Sequence, residues 1–73
     1  MARETIEVPI TGKIISVNVK PGDQVKEDDV LCVLESMKME NPIITTVSGK
    51  VVEVGVKVYQ VVKPGDTVAV IEY

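Results

Sequence analysis

The sequence predicts an all-β protein, a flattened barrel or barrel-sandwich hybrid of two quasi-symmetric four-stranded halves. Three observations carry that expectation. The first is composition: sixteen Val, seven Ile and five Thr stand among 73 residues. β-Branched side chains are stiff at χ1 and fit a pleated surface better than a helix. The second is alternation. Ile15, Val17 and Val19 share one parity around Ser16 and Asn18, and Val52, Val54 and Val56 do so around Glu53 and Gly55. Period two marks half-buried strands, and no window shows a convincing amphipathic helix. The third is an internal repeat. An offset of 37 aligns the chain with itself without a gap, placing Gly12-Lys13 on Gly49-Lys50, Val25-Lys26 on Val62-Lys63, Asp29 on Asp66 and Glu35 on Glu72.

The elements follow in order. After Met1-Ala2-Arg3-Glu4 the alternating pattern starts, and strand 5–10 is expected. Strand 13–20 carries the alternation of Ile15 to Val19 and stops at Lys20-Pro21-Gly22-Asp23. Proline presets a negative φ and glycine accepts a positive one, which suits a type II turn. A very short strand, 24–26, precedes Asp28-Asp29. Strand 30–36 contains the longest apolar run, Val30 to Leu34. The second half repeats the plan: 39–46, with Ile43 on Ile6; 50–57; 61–63, before a second Pro-Gly turn at Lys63-Pro64-Gly65-Asp66; and 67–73. The two KPGD copies are not equivalent under the repeat. They fall in successive turns of their respective halves.

Neither half buries a face alone, since a sheet this small is marginal. Two interlocked halves are expected to form one domain, 1–73, and their closure limits exposed strand edges. Under the offset, residue 38 corresponds to residue 1. The link Met37-Lys38 is therefore expected to be a hairpin tip at the pole opposite the termini.

Composition narrows the function. There is one cysteine and no histidine, so there is no intramolecular disulfide, no ligand set for structural zinc and no histidine base. The net charge is −3 with the signs interspersed, and Tyr59 and Tyr73 are the only aromatics. That composition argues against a nucleic-acid surface. The longest apolar run falls far short of a membrane span, and the first residues lack a signal-peptide pattern, so a cytoplasmic location is expected. Cys32 reads as a small core residue. Asp28, Asp29 and Asp66 read as turn acceptors rather than metal ligands. Tyr59 replaces the glycine of the equivalent first-half turn, Gly22, either to cover the core edge or to contact a partner. An enzyme is not expected, because no nucleophile–base pair is in sight.

The unusual stretch is Val33 to Ile43, VLESMKMENPI. Two-residue hairpin turns favour Asn-Gly or Asp-Gly because both central residues take positive φ. Met37 and Lys38 are poor choices for that geometry. An exposed lysine at a tip is ordinarily a solvated charge, and methionine ordinarily fills core gaps. Two methionines collaring one lysine on a loop suggest instead a recognised surface.

The segment Glu35-Ser36-Met37-Lys38-Met39-Glu40 resembles the biotin attachment signature. Gly12, Val19, Gly22-Asp23, Val25, Leu31 and Glu35 before it, and Ile43, Ser48-Gly49 and Val51 after it, fit the surrounding pattern. The whole chain resembles the biotinyl domain of biotin carboxyl carrier proteins, within the biotinyl/lipoyl family. The resemblance implies a flattened barrel-sandwich and covalent biotin on Lys38. It also implies recognition by a biotin protein ligase through Met37 and Met39. Glu35 matches the family's upstream acidic residue, where the resemblance implies ligase contact or repulsion that adds selectivity, and is otherwise a solvated strand-end charge. The implied partners are biotin carboxylase and carboxyltransferase (or decarboxylase) subunits or domains, served by a non-catalytic carrier. Residues 20–35 pair with 57–72 without insertion, so the "thumb" of some acetyl-CoA carboxylase carriers is absent. A lipoyl carrier is the main alternative, although such domains typically place Asp or Val before the lysine and Ala after it. An unmodified adaptor domain would leave the Met-Lys-Met tip unexplained.

Overall fold

The computed structural model describes residues 1–73. All eight expected strands are present: β1 (Arg3–Glu7), β2 (Gly12–Val17), β3 (Gln24–Val25), β4 (Val30–Ser36), β5 (Met39–Ile44), β6 (Gly49–Val54), β7 (Val61–Val62) and β8 (Thr67–Glu72). β1 stops two residues before Pro9, which has no N–H to give a ladder.

The strands form two antiparallel sheets, ordered β1-β8-β6-β3 and β5-β4-β2-β7. In each sheet the inner pair comes from one half of the chain and the outer pair from the other. Neither half completes a sheet without its mate, so the repeat folds as one interlocked unit. The offset of the sequence repeat carries one sheet onto the other, strand for strand.

Fourteen buried apolar residues fill the space between the sheets. The fully enclosed ones come in symmetry-related pairs: Ile14 with Val51, Leu31 with Val68, Leu34 with Ile71. Val17, Val19, Val54 and Val56 face the core as the alternation expects, but Ile14 and Val51 reach the centre in place of Ile15 and Val52. The cause is a β-bulge. Ile14 pairs with Leu34 but Ser16 pairs with Val33, leaving Ile15 unopposed, and Val52 is unopposed in the same way. Two more bulges fall at Leu31 and Val68. Each breaks the alternation locally, so Leu31 and Cys32 are both buried, as are Val68 and Ala69.

The turns share one construction, used four times. Gly22, Asp28, Tyr59 and Gly65 occupy the left-handed third position, with φ of 99°, 76°, 70° and 93°. The N–H of the fourth residue donates to the carbonyl of the first in each: Asp23 to Lys20, Asp29 to Lys26, Gln60 to Lys57 and Asp66 to Lys63. The N–H of that first lysine donates back to the side-chain oxygen of the fourth residue. The two KPGD copies thus share a local turn rather than a place in the repeat. Asp29 and Asp66 are turn acceptors as expected, whereas Asp28 holds the strained position.

Closure into a barrel is incomplete. β1 and β5 remain hydrogen-bonding edges, facing each other across a groove of about 330 Å³ lined by Glu4, Ile6, Pro42 and Ile44 among others. Pro42 removes one N–H from the β5 edge, which blunts it against further pairing. The domain is a short rod, 37 × 18 × 17 Å.

Candidate functional site

β4 and β5 are joined by two residues. Ser36 pairs with Met39, leaving Met37 and Lys38 as the turn. Their φ values are 53° and 66°, so both occupy the left-handed region that a type I′ hairpin demands. For residues with a Cβ this conformation costs about 1–2 kcal/mol each. Packing does not offset that cost, because Met37 is 92% and Met39 67% exposed. The methionines are therefore not gap fillers.

The repeat shows where this tip lies. Its counterpart is the pair of chain ends, where Ala2 and Tyr73 exchange both backbone hydrogen bonds. β1 leads away from those ends, and after residues 8–11 the chain enters β2 beside Glu35. The tip and the termini thus sit at opposite ends of the rod, as expected from the sequence.

The base of the tip is stiff. Asn41 lies opposite Leu34, and its amide donates to the carbonyls of Met39 (3.2 Å) and Leu34 (3.5 Å). Gly12 brings β2 against β4 so closely that a Cβ there would lie 2.5 Å from the Glu35 carbonyl oxygen. Lys38 itself is exposed, and the two ion pairs of the protein, Arg3–Glu72 and Lys63–Asp66, leave it free.

A row of side chains crosses the outer face of this sheet beneath the tip. Val61 of β7 pairs with Lys13 of β2, Lys13 with Glu35 of β4, and Glu35 with Glu40 of β5. Two carboxylates therefore stand directly opposite each other, a destabilising cross-strand pair. The Lys13 ammonium sits 5.4 Å from the centroid of the Tyr59 ring, within cation–π range. Tyr59 is 71% exposed, so it does not cover the core edge.

The residues expected from sequence, Lys38, Met37, Met39 and Glu35, are gathered at this one pole. Glu40, Asn41, Lys13 and Tyr59 complete the surroundings without having been assigned there. Glu40 was readable, since a two-residue turn at 37–38 puts 35 opposite 40. The Lys13–Tyr59 contact crosses between the halves and leaves no local signal. Cys32, the other nucleophilic side chain considered, is fully buried, and desolvation pushes its thiol up to about 11. No group of three His, Cys, Asp or Glu side chains is placed to hold a metal ion.

An exposed lysine on a rigid tip, within a two-fold β-sandwich, is the arrangement to set beside known proteins. The sequence profile of the biotin/lipoyl family, described as "Biotin-requiring enzyme", matches residues 4–71. The chain belongs to that family.

Among solved structures, this biotin/lipoyl domain superposes on Kluyveromyces lactis urea carboxylase with a TM-score of 0.89 at 33% identity, covering 99% of this chain and 6% of that one. It is 60% identical over 40 residues to the glutaconyl-CoA decarboxylase subunit gamma of Acidaminococcus fermentans, spanning 55% of this chain and 28% of that protein. It is also 52% identical over 33 residues to the human mitochondrial propionyl-CoA carboxylase alpha chain, spanning 45% of this chain and 4% of that one. The chain thus spans under a third of the length of each of these relatives. It is a biotin-binding carrier domain of the kind found in biotin-dependent carboxylases, and it resembles their non-catalytic parts.

Proposed function

We propose that the domain is a biotin carboxyl carrier, biotinylated on Lys38 Nζ by a biotin protein ligase. The observation that carries this reading is a free, exposed lysine collared by two exposed methionines on a strained two-residue tip. Solvated-charge tips do not require that collar or that strain. The tip suits a covalent arm, because nothing in the fold crowds or pairs the amine.

The attachment chemistry follows from the side chain. A neutral Lys38 amine attacks the acyl carbon of an activated biotinyl-adenylate; the new C–N bond forms as the C–O bond to AMP breaks. The ligase must take the ammonium proton, and arginine in this place would stay protonated. Bound biotin supplies the carboxyl-carrying chemistry through its ureido nitrogen. Lys38, at the end of a short rod, keeps that group at high local concentration for two sites, a biotin carboxylase and a carboxyltransferase or decarboxylase. The likeness to urea carboxylase, propionyl-CoA carboxylase and glutaconyl-CoA decarboxylase subunits supports this partner class.

Incubation with a biotin protein ligase, ATP and biotin tests the reading by intact mass. One biotinyl increment is expected on the wild-type chain and none on Lys38→Arg. An unmodified wild type, a modified Lys38→Arg, or modification by a lipoyl ligase in place of the biotin ligase would overturn it.

A further inference from the structure

The repeat gives β1 and β5 the same place at the edge of a sheet but different chemistry. In β1 the even-numbered residues bond toward β8. Ala2 exchanges both backbone hydrogen bonds with Tyr73, and the Val8 N–H donates to the Asp66 carbonyl. By the alternation of an antiparallel ladder, the N–H and C=O groups of Arg3, Thr5 and Glu7 point away from the sheet. No Cα of β5 comes within 8 Å of one in β1, so the opposite edge does not take them up. The side chains of Arg3, Thr5 and Glu7 are all exposed on the outer face, whereas Ile6 is buried.

The offset of 37 sets Glu40, Pro42 and Ile44 of β5 in the places of Arg3, Thr5 and Glu7. The centre of the β5 edge is therefore a proline with no N–H to give. The β1 edge is open at its centre and carries opposite charges on either side. Arg3-Glu4-Thr5-Ile6-Glu7 is complementary to itself. Laid antiparallel about a dyad at Thr5, Arg3 faces Glu7 of a second copy, Thr5 faces Thr5 and Glu7 faces Arg3. Opposite charges and paired threonines both favour such a ladder. These are also the residues whose backbone groups are free, so one register satisfies charge and hydrogen bonding together. A slip of two residues keeps the bonding pattern but sets Arg3 or Glu7 against Thr5 and loses both charge pairs. In the matched register Arg3 stands between its own Glu72, at 3.3 Å, and Glu7 of the second copy. The alternating row Lys50–Glu72–Arg3 then continues across the junction.

We infer that the β1 edge is the docking surface for a second copy of this chain. The two β1 strands pair antiparallel about Thr5 and join two four-stranded sheets into one. The contact is isologous and closes at two copies. It cannot propagate, because Pro42 blunts β5 and the other edges, β3 and β7, are two residues long. β1 runs from the terminal pole toward the tip, so the two tips point in opposite directions and both Lys38 amines stay exposed. The inference does not depend on any role of Lys38.

A five-residue edge is small beside a standard interface, so the dimer is weak. Sedimentation equilibrium between about 10 µM and about 1 mM is expected to show monomer and dimer, with a dissociation constant on the order of 100 µM. Thr5→Pro removes an N–H that faces away from β8, and Pro42 shows that the fold holds a proline at this place. It is expected to weaken dimerisation at least about tenfold, with Tm shifted by no more than about two degrees. Glu7→Arg sets arginine against Arg3 at both ends of the ladder and is expected to weaken it as much. Glu40→Arg makes the same change of charge on the β5 edge and is expected to leave the constant within about twofold. Concentration-dependent amide shifts in nitrogen–proton NMR spectra are expected at residues 3–7 and not at the tip. A wild type that stays monomeric throughout that range would overturn the inference. So would Thr5→Pro and Glu7→Arg chains that dimerise like wild type, Glu40→Arg losing as much as Glu7→Arg, or shifts confined to the tip.

Discussion

Two side chains here carry a potential nucleophile of note, Lys38 and Cys32, and the fold treats them in opposite ways. Lys38 is held out on a turn where its backbone is strained and its amine is unpaired. Cys32 is sealed in the core, its thiol raised from 9.0 to about 11 by burial. A folded-state pKa above the unfolded one means that the native state holds the proton more tightly. Its contribution to stability is full below pH 9 and is lost as pH rises through 11. The loss amounts to about 2–3 kcal/mol. Urea unfolding of wild type and Cys32→Ala is expected to show the wild type's advantage shrinking by that amount between pH 8 and pH 11; a constant difference would contradict it. Both residues were legible from the sequence, since Met-Lys-Met breaks the rule for a two-residue turn and Cys32 sits inside an apolar run. The Lys13–Tyr59 contact was not, because it depends on how two halves meet rather than on any local pattern.

Among the strands, close approach and bulging matter more than propensity. Gly49, the mate of Gly12, faces the Glu72 backbone and the Ile71 side chain so tightly that a Cβ would overlap both. Gly49→Ala is expected to cost about 1–3 kcal/mol through forced separation of β6 from β8. Chemical denaturation measures this; a neutral result would mean that the strands part without penalty. The number, order and approximate bounds of the strands were readable, and so was the hairpin at 37–38. The bulges were not. Ile15, Val52, Leu31 and Val68 are aliphatic residues in aliphatic surroundings, and nothing in their identity announces that they lack an opposite number. The four-fold use of one turn was half visible. Pro-Gly betrays it twice, while Lys26-Glu27-Asp28-Asp29 and Lys57-Val58-Tyr59-Gln60 conceal it behind an aspartate, which takes the left-handed position at modest cost, and a tyrosine, which takes it poorly.

The whole molecule depends on contacts between its halves, as the repeat implied, since each sheet draws strands from both. A domain of 73 residues has a total stability of about 4–11 kcal/mol. Leu34 is fully buried, lies opposite Ile14 and packs against Gly12 beneath the tip. Leu34→Ala is expected to cost about 2–5 kcal/mol, a large share of that total. Thermal melting by circular dichroism should show one cooperative transition at a much lower Tm, and a shift of only a degree or two would contradict the single-core description. The groove between β1 and β5 was not foreseen, because the repeat implies two interlocked halves without saying how closely the outer edges of the two sheets approach.

The reciprocal bonds between Ala2 and Tyr73 have a mechanical side. The chain ends leave the domain together, at the head of the antiparallel β1–β8 ladder. A force that draws them apart does not shear that ladder as a block. It loads the terminal pair first, then Arg3 and Glu72, then each pair in turn, like a zipper. Tension between the two ends would therefore peel the domain open from that pole while the tip kept its shape.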